Sequence, residues 1–175
     1  TRRAAAAVVL CHGFLSSKNS TTNKSLTRTL NEAGLATFRF DFFGQGESEG
    51  LFEDITVSLA VGQADAAVAL VRSHGYERIG LMGSSFGGLV AILTTAHRHD
   101  IACLALKCPV VDFAEELRLE FGPEELVRWQ STDTIPNLLG GPARIRLKYG
   151  LYEDCLRQAA YEPASRIVAP TLIVQ

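Results

Sequence analysis

The chain has 175 residues, 47% of them hydrophobic and 21% charged, with a formal net charge of −2. That length allows one domain with a real core and is short for two, and so small a net charge removes the electrostatic case for nucleic acid or an anionic membrane surface as partner. No stretch approaches the ~18 apolar residues of a membrane-spanning helix; the four cysteines include no Cys-x-x-Cys pair, give no zinc pattern and fit a reduced, cytoplasmic setting.

The opening Thr1-Arg2-Arg3 and the apolar run to Cys11 superficially look like a signal peptide. The run is short, lacks a small-residue cleavage site and stops at His12-Gly13, so residues 5–11 read as a strand covered on both faces. A polar loop over 16–23 follows. Leu26, Leu30 and Ala33 then recur at helical spacing, with Gly34 as the stop. Residues 36–41 return to strand character and end in the turn-rich Gly44-Gln45-Gly46-Glu47-Ser48. Thr56 can cap a helix whose buried stripe is Val57, Ala60, Val61, Ala64, Val68 and Val71, ended by Gly75. Residues 78–82 form another strand, Phe86 to Ala96 a helix, and 101–107 a further strand. Cys11, Cys103 and Cys108 lie in or beside these runs and are expected to be buried small hydrophobes. The alternation implies a parallel sheet with helices on both faces.

From Asp112 the character changes. Residues 112–130 read as a charged helix broken at Gly122-Pro123. Pro136, Gly140-Gly141 and Pro142 mark a small hairpin within 132–149, and 151–159 read as helix. Pro170-Thr171-Leu172-Ile173-Val174 then resumes the pattern of a buried parallel strand. The expected organisation is a core over 1–111, an insertion over the strand ends at 112–165, and a return to the core at 166–175.

The strongest chemical signal is Gly83-Ser84-Ser85-Phe86-Gly87, between an apolar strand and a helix opening. A sharp strand-to-helix turn presents a serine hydroxyl above the sheet, and the residues two before and two after it must be small because strand and helix nearly touch. Ser85 has glycines at both positions, whereas Ser84 would have Met82 and Phe86. A serine nucleophile needs a base and donors for the oxyanion. The Phe86 amide, at a helix N-terminus, is one candidate donor, and the Phe14 amide, after Gly13 in the loop following the first strand, is the second. His12 reads as a loop-shaping residue rather than the base. His97 and His99 lie on the far side of the sheet and read as a solvated turn, not a metal site. Gly44-x-Gly46-x-x-x-Gly50 does not fit a dinucleotide loop, because Glu47 and Glu49 stand where a pyrophosphate must approach. No cofactor is expected, and the sequence carries no signal for oligomeric state.

Together, His12-Gly13-Phe14, Asp41-Phe42-Phe43-Gly44-Gln45-Gly46-Glu47-Ser48 and Gly83-Ser84-Ser85-Phe86-Gly87-Gly88 resemble three successive signatures of the α/β-hydrolase superfamily. Glu49-Gly50-Leu51-Phe52-Glu53-Asp54 and Tyr149-Gly150-Leu151-Tyr152-Glu153-Asp154 are similar to cytoplasmic bacterial esterases of the cinnamoyl/feruloyl type, which carry a small cap. The resemblance implies an α/β-hydrolase fold, residues 112–165 as the cap, acylation of Ser85 by a small-molecule ester, and an oxyanion hole from Phe14 and Phe86. It further implies that Asp41 ties down its loop and that Asp112 and Tyr152 could line the acyl pocket. In the family order of serine, acid, histidine, both partners of Ser85 would follow Gln175, and two early strands would precede residue 5. The expectation is a piece truncated at both ends, nearly inactive alone, with an open sheet edge. Thioesterase, peptidase or acyltransferase chemistry, or a non-catalytic binding role on the same fold, remain alternatives.

Overall fold

The computed structural model describes residues 6–140, 142 and 144–175; Ala5, the expected first residue of the opening strand, and Gly141 of the expected hairpin lie outside them. In chain order the elements are β1 (Ala6–Cys11), α1 (Thr21–Glu32), β2 (Ala36–Arg39), a 3-10 turn (Phe52–Asp54), α2 (Val57–Ser73), β3 (Arg78–Ser84), α3 (Phe86–His97) and β4 (Ile101–Lys107). They continue with α4 (Phe113–Thr132), β5 (Thr134–Ile135), β6 (Leu147–Lys148), α5 (Gly150–Cys155), α6 (Tyr161–Ala164) and β7 (Thr171–Val174).

Five parallel strands form one sheet in the order β2-β1-β3-β4-β7. The connection from β1 to β2 runs one way along the sheet, and those from β2 to β3 and β3 to β4 run the other. Right-handed crossovers therefore put α1 on one face and α2 and α3 on the opposite face. This is the α/β-hydrolase architecture expected from the sequence.

Side-chain alternation follows that arrangement. Ala7, Val9 and Cys11 of β1, Ile79 and Leu81 of β3, and Leu104 and Leu106 of β4 join the buried core with α2 and α3. The α2 stripe is as expected except that Ala67 is buried and Val61 only half-buried. Thr56 caps this helix by accepting from the Leu59 amide at 3.1 Å.

Several boundaries differ from the expectation. Ser20 accepts from the Asn23 amide (3.2 Å) and so starts α1 at Thr21, inside the expected loop. The helix expected over 151–159 stops at Cys155, and α6 follows separately. Gly122 breaks α4 with φ 73°, ψ 169°, a conformation that interrupts the helix at the foreseen Gly-Pro step.

Two burial expectations are corrected. Cys103 and Cys108 are exposed. Cys103 shares a face with Val8 and the bare backbone of Gly80, which is the α1 side, and α1 packs chiefly on β2. All four residues of β7 are exposed as well, because among the described residues it is the outer strand of the sheet, hydrogen-bonded to β4. Among the described residues no helix is long and apolar enough to cross a membrane.

The segment 112–165 is fastened to the core by polar contacts. Asp154, buried in α5, accepts from the Ser58 amide (2.8 Å) and the Ser58 hydroxyl (2.6 Å) in the first turn of α2. Lys148 of β6 pairs with Asp54 at 2.6 Å, and within the segment Trp129 donates to the Leu147 carbonyl at 3.0 Å, tying α4 to β6. A carboxylate at a helix N-terminus that also satisfies a hydroxyl forms charge-assisted bonds. Asp154→Ala is expected to cost about 1–3 kcal/mol, read as a lower midpoint in urea unfolding, whereas Arg128→Ala, which removes an exposed pair with Glu125, should leave the midpoint nearly unchanged.

Candidate active site

The turn between β3 and α3 has no room for side chains at its flanks. A Cβ on Gly83 would collide with the Gly87 carbonyl, one on Gly87 with the carbonyl oxygens of Cys11 and His12, and one on Gly88 would lie 2.8 Å from Pro109 Cβ. Strand, helix and the end of β1 are thus in backbone contact. Ser85 bridges them with φ 52° and ψ −120°, a conformation L-residues rarely adopt and one that costs on the order of 1–3 kcal/mol unless its surroundings impose it.

Main-chain bonds impose it. The Ser85 amide donates to the Lys107 carbonyl (3.0 Å), and its carbonyl accepts from Gly88 (2.8 Å) and Val110 (3.2 Å). The last residue of β4 and the turn after it therefore grip the serine from the side. No motif marked Lys107 or Val110 in advance; only the pairing of β4 beside β3 could have pointed to them.

Ser85 occupies the N-cap position of α3, yet its side chain makes no capping bond. A serine at this position normally caps; here the backbone geometry leaves the hydroxyl available. The loop after β1 lies directly against it, since a Cβ on Gly13 would stand 3.5 Å from Ser85 Cβ and 4.0 Å from Ser85 Oγ. Among the described residues, neither the Phe14 amide nor the Phe86 amide makes a hydrogen bond. The Phe14 and Phe86 rings pack at 5.6 Å, and both meet Phe113 at 5.2 and 5.4 Å, so an aromatic cluster fixes the two backbones relative to each other. The three residues singled out from sequence are brought together.

His12 is buried and fully engaged. Its Nε2 accepts from the Phe42 amide at 3.0 Å, which puts the ring proton on Nδ1, where it donates to the Gly13 carbonyl at 2.8 Å. With both nitrogens in use it holds the loop in shape, as expected, and is not a base for Ser85. Burial pushes its pKa below the ordinary histidine value of 6.5, against the opposing pull of the Gly13 carbonyl and Asp41.

Asp41 accepts from the Lys18 ammonium (2.7 Å), the Lys18 amide and the Glu47 amide (3.0 Å). Burial alone would raise its carboxyl, but Lys18 and these amides together hold it below the usual 3.8. Its structural role is that expected. Gly46, with φ 56°, exists as glycine because a Cβ there would enter the Asp41 carboxylate.

The remaining candidates are engaged as follows. Asp112 caps α4 through the Glu115 amide at 2.9 Å. Tyr152 packs against Trp129 and Tyr149 at 6.1 and 5.6 Å. His97 pairs with Asp65 at 2.9 Å, beside Arg98, at the opposite end of the sheet.

With this geometry in place, known proteins give it a context. The sequence pattern of the family described as serine aminopeptidase, S33, matches residues 2–171. The chain belongs to that α/β-hydrolase family. Est1E from Butyrivibrio proteoclasticus, solved with ferulic acid bound, superposes with a TM-score of 0.82 at 26% identity, over 97% of this chain and 68% of that one. Mouse alpha/beta hydrolase domain-containing protein 10 shares the fold at TM-score 0.73 and 16% identity, over 97% of this chain and 80% of that one. An Escherichia coli protein known as the uncharacterized 31.7 kDa protein in the traX-finO intergenic region is 27% identical over 108 residues, 60% of this chain and 37% of that protein. The chain thus matches little more than a third of this curated relative's length.

Two outcomes check this description. Gly87→Ala should destabilise the fold by at least about 2 kcal/mol, while Gly62→Ala, on an open face of α2, should stabilise it by about 0.5–1 kcal/mol; chemical denaturation of both variants gives the signs. Because the folded His12 and Asp41 both bind protons less readily than the unfolded chain, the stability they contribute is fully present above pH 6.5. It should fall first as pH drops below 6.5 through His12, and again below 3.8 through Asp41. In unfolding measured against pH, His12→Gln should remove the upper slope and keep the lower one.

Proposed function

We propose that the whole protein is a serine hydrolase that cleaves carboxylic esters through an acyl-enzyme on Ser85. The observation that carries this reading is the uncapped Ser85 hydroxyl standing beside the unbonded amides of Phe14 and Phe86. Ser85 Oγ attacks the ester carbonyl carbon and its proton passes to a base. The carbonyl electron pair moves onto oxygen, where the two amides hold the oxyanion. Collapse expels the alcohol with that proton, and water repeats the sequence on the acyl-serine.

The base and its acidic partner are assigned to parts of the whole protein outside the described residues. Among the described residues the one histidine on this side of the sheet, His12, has both ring nitrogens engaged. In this reading the chain alone carries a positioned serine without a base and reacts slowly, and residues 112–165 form a cap over the strand ends. The ferulic acid bound to the relative in Butyrivibrio proteoclasticus supports a small aromatic acyl group as substrate.

The family description favours a second reading, cleavage next to a free amino terminus. Such a site needs an unpaired carboxylate for the ammonium. Two of the carboxylates beside the loops around Ser85 are neutralised instead, Glu53 by Arg146 and Lys148, and Glu47 by Lys18, and we place the ester reading first.

The test uses the full-length protein with short p-nitrophenyl esters and with L-alanine p-nitroanilide. Ester turnover is expected, with Ser85→Ala lowering kcat by at least about a thousandfold. Equal turnover by the variant would remove the assignment of Ser85, and preference for the anilide would favour the peptidase. The chain alone should label slowly with a fluorophosphonate.

A further inference from the structure

The stretch that carries the Phe14 amide is strained and sparsely bonded. Leu15, directly after it, has φ 53°, in the left-handed region that residues other than glycine rarely adopt. Gly13, directly before it, lies against Ser85. Among the described residues, the main chain of Phe14 and Leu15 makes no hydrogen bond. The nearest bonds are those of the Gly13 carbonyl with His12 and of the Ser16 amide with Gln45. Main-chain bonding thus leaves the Phe14 amide without a direct restraint.

The Phe14 ring supplies one. It meets Phe86 at 5.6 Å, Phe113 at 5.2 Å and Phe52 at 5.1 Å, separations at which aromatic pairs gain from their relative orientation as well as from burial. Phe86 belongs to the turn at Ser85, but the other two come from elsewhere. Phe113 opens α4. Phe52 stands in the 3-10 turn that the β6 region holds through Arg146 on Glu53 (3.0 Å) and Lys148 on Asp54 (2.6 Å). The segment 112–165 therefore reaches the Phe14 ring along two routes, directly through Phe113 and by way of Phe52.

We infer that Phe113 and Phe52 are positioning residues: through the Phe14 ring they hold the Phe14 amide where the oxyanion forms, so the seating of segment 112–165 sets oxyanion binding. The catalytic role rests on the ester reading of Ser85; the restraint itself stands on the ring contacts alone. A donor stabilises the transition state most when it is already aimed before charge develops. Neither ring carries a polar atom, so any effect on the developing charge passes through the amide.

Three variants of the full-length protein test this: Phe113→Leu, Phe52→Leu and, as a control in the same helix as Phe113, Phe121→Leu, whose ring packs on Trp129 at 5.6 Å. In 15N relaxation the Phe14 amide is expected to be as rigid as β3 in the parent protein. It should lose order in the first two variants and keep it in the third; an amide that stays rigid in all of them overturns the restraint. With p-nitrophenyl acetate, Phe113→Leu and Phe52→Leu should each lower kcat at least about tenfold and keep KM within about twofold. Inhibition by 1,1,1-trifluoroacetone, on which serine attack leaves a tetrahedral oxyanion, should weaken by a similar factor of about ten. A smaller folded fraction would lower kcat with that inhibition constant unmoved, and lost contact with the acyl group would raise KM. Either pattern overturns the inference, as does a Phe121→Leu variant that behaves like Phe113→Leu. Turnover that depends on Ser85 but is unchanged by Phe113→Leu and Phe52→Leu overturns this inference alone. A loosened Phe14 amide beside turnover that Ser85→Ala does not affect overturns the ester reading and the oxyanion role with it, and leaves the ring restraint standing.

Discussion

Backbone-to-backbone contact at one turn governs the architecture around Ser85. Where β3 meets α3, the glycines at 83 and 87 let strand and helix approach until carbonyl groups occupy the space of side chains. The carbonyls of Cys11 and His12 lie against Gly87, so β1 shares this contact. The strained serine conformation then follows from packing, because no relaxed conformation would connect a strand and a helix held so near each other. Close packing of this kind has little freedom to relax, which is why a strained residue can persist in a marginally stable molecule.

The loops around the serine are organised by buried polar groups with defined partners. His12 links the loop after β1 to the chain leaving β2 through one donated and one accepted bond. Asp41 gathers Lys18 and the Glu47 amide from two loops onto one carboxylate. Each group is desolvated and fully used, the condition under which buried polarity rigidifies a site instead of weakening it. The amides of Phe14 and Phe86 are held in turn by ring packing against Phe113. Precision at the site comes from its supports and not from the serine itself.

Much of this was legible in the sequence, for physical reasons. A glycine on either side of Ser85 is a steric requirement that composition cannot imitate, and it selected Ser85 over Ser84. The alternation of apolar strands with a Thr56-capped amphipathic helix implied the parallel sheet. Burial was less legible: Cys103 and β7 have the residue types of buried strands, but exposure depends on which helix covers which strand, a non-local property. The partners of Ser85 at the end of β4 and just after it were invisible for the same reason, since Lys107 accepts through a carbonyl that every residue has and Val110 donates through an amide that every residue except proline has.

The bond from the Val110 amide to the Ser85 carbonyl bears on how this family can diversify. Val110 lies just before the segment that differs most in character from the rest of the chain, so the serine and that segment share a mechanical anchor. Phe113, whose ring packs on Phe14 and Phe86, lies three residues further on, so a graft that starts before it removes a restraint on the site amides, and one that starts before Val110 removes a restraint on the nucleophile as well. Recombination and design in this architecture thus have their seam after Phe113, with both restraints kept on the N-terminal side of the join.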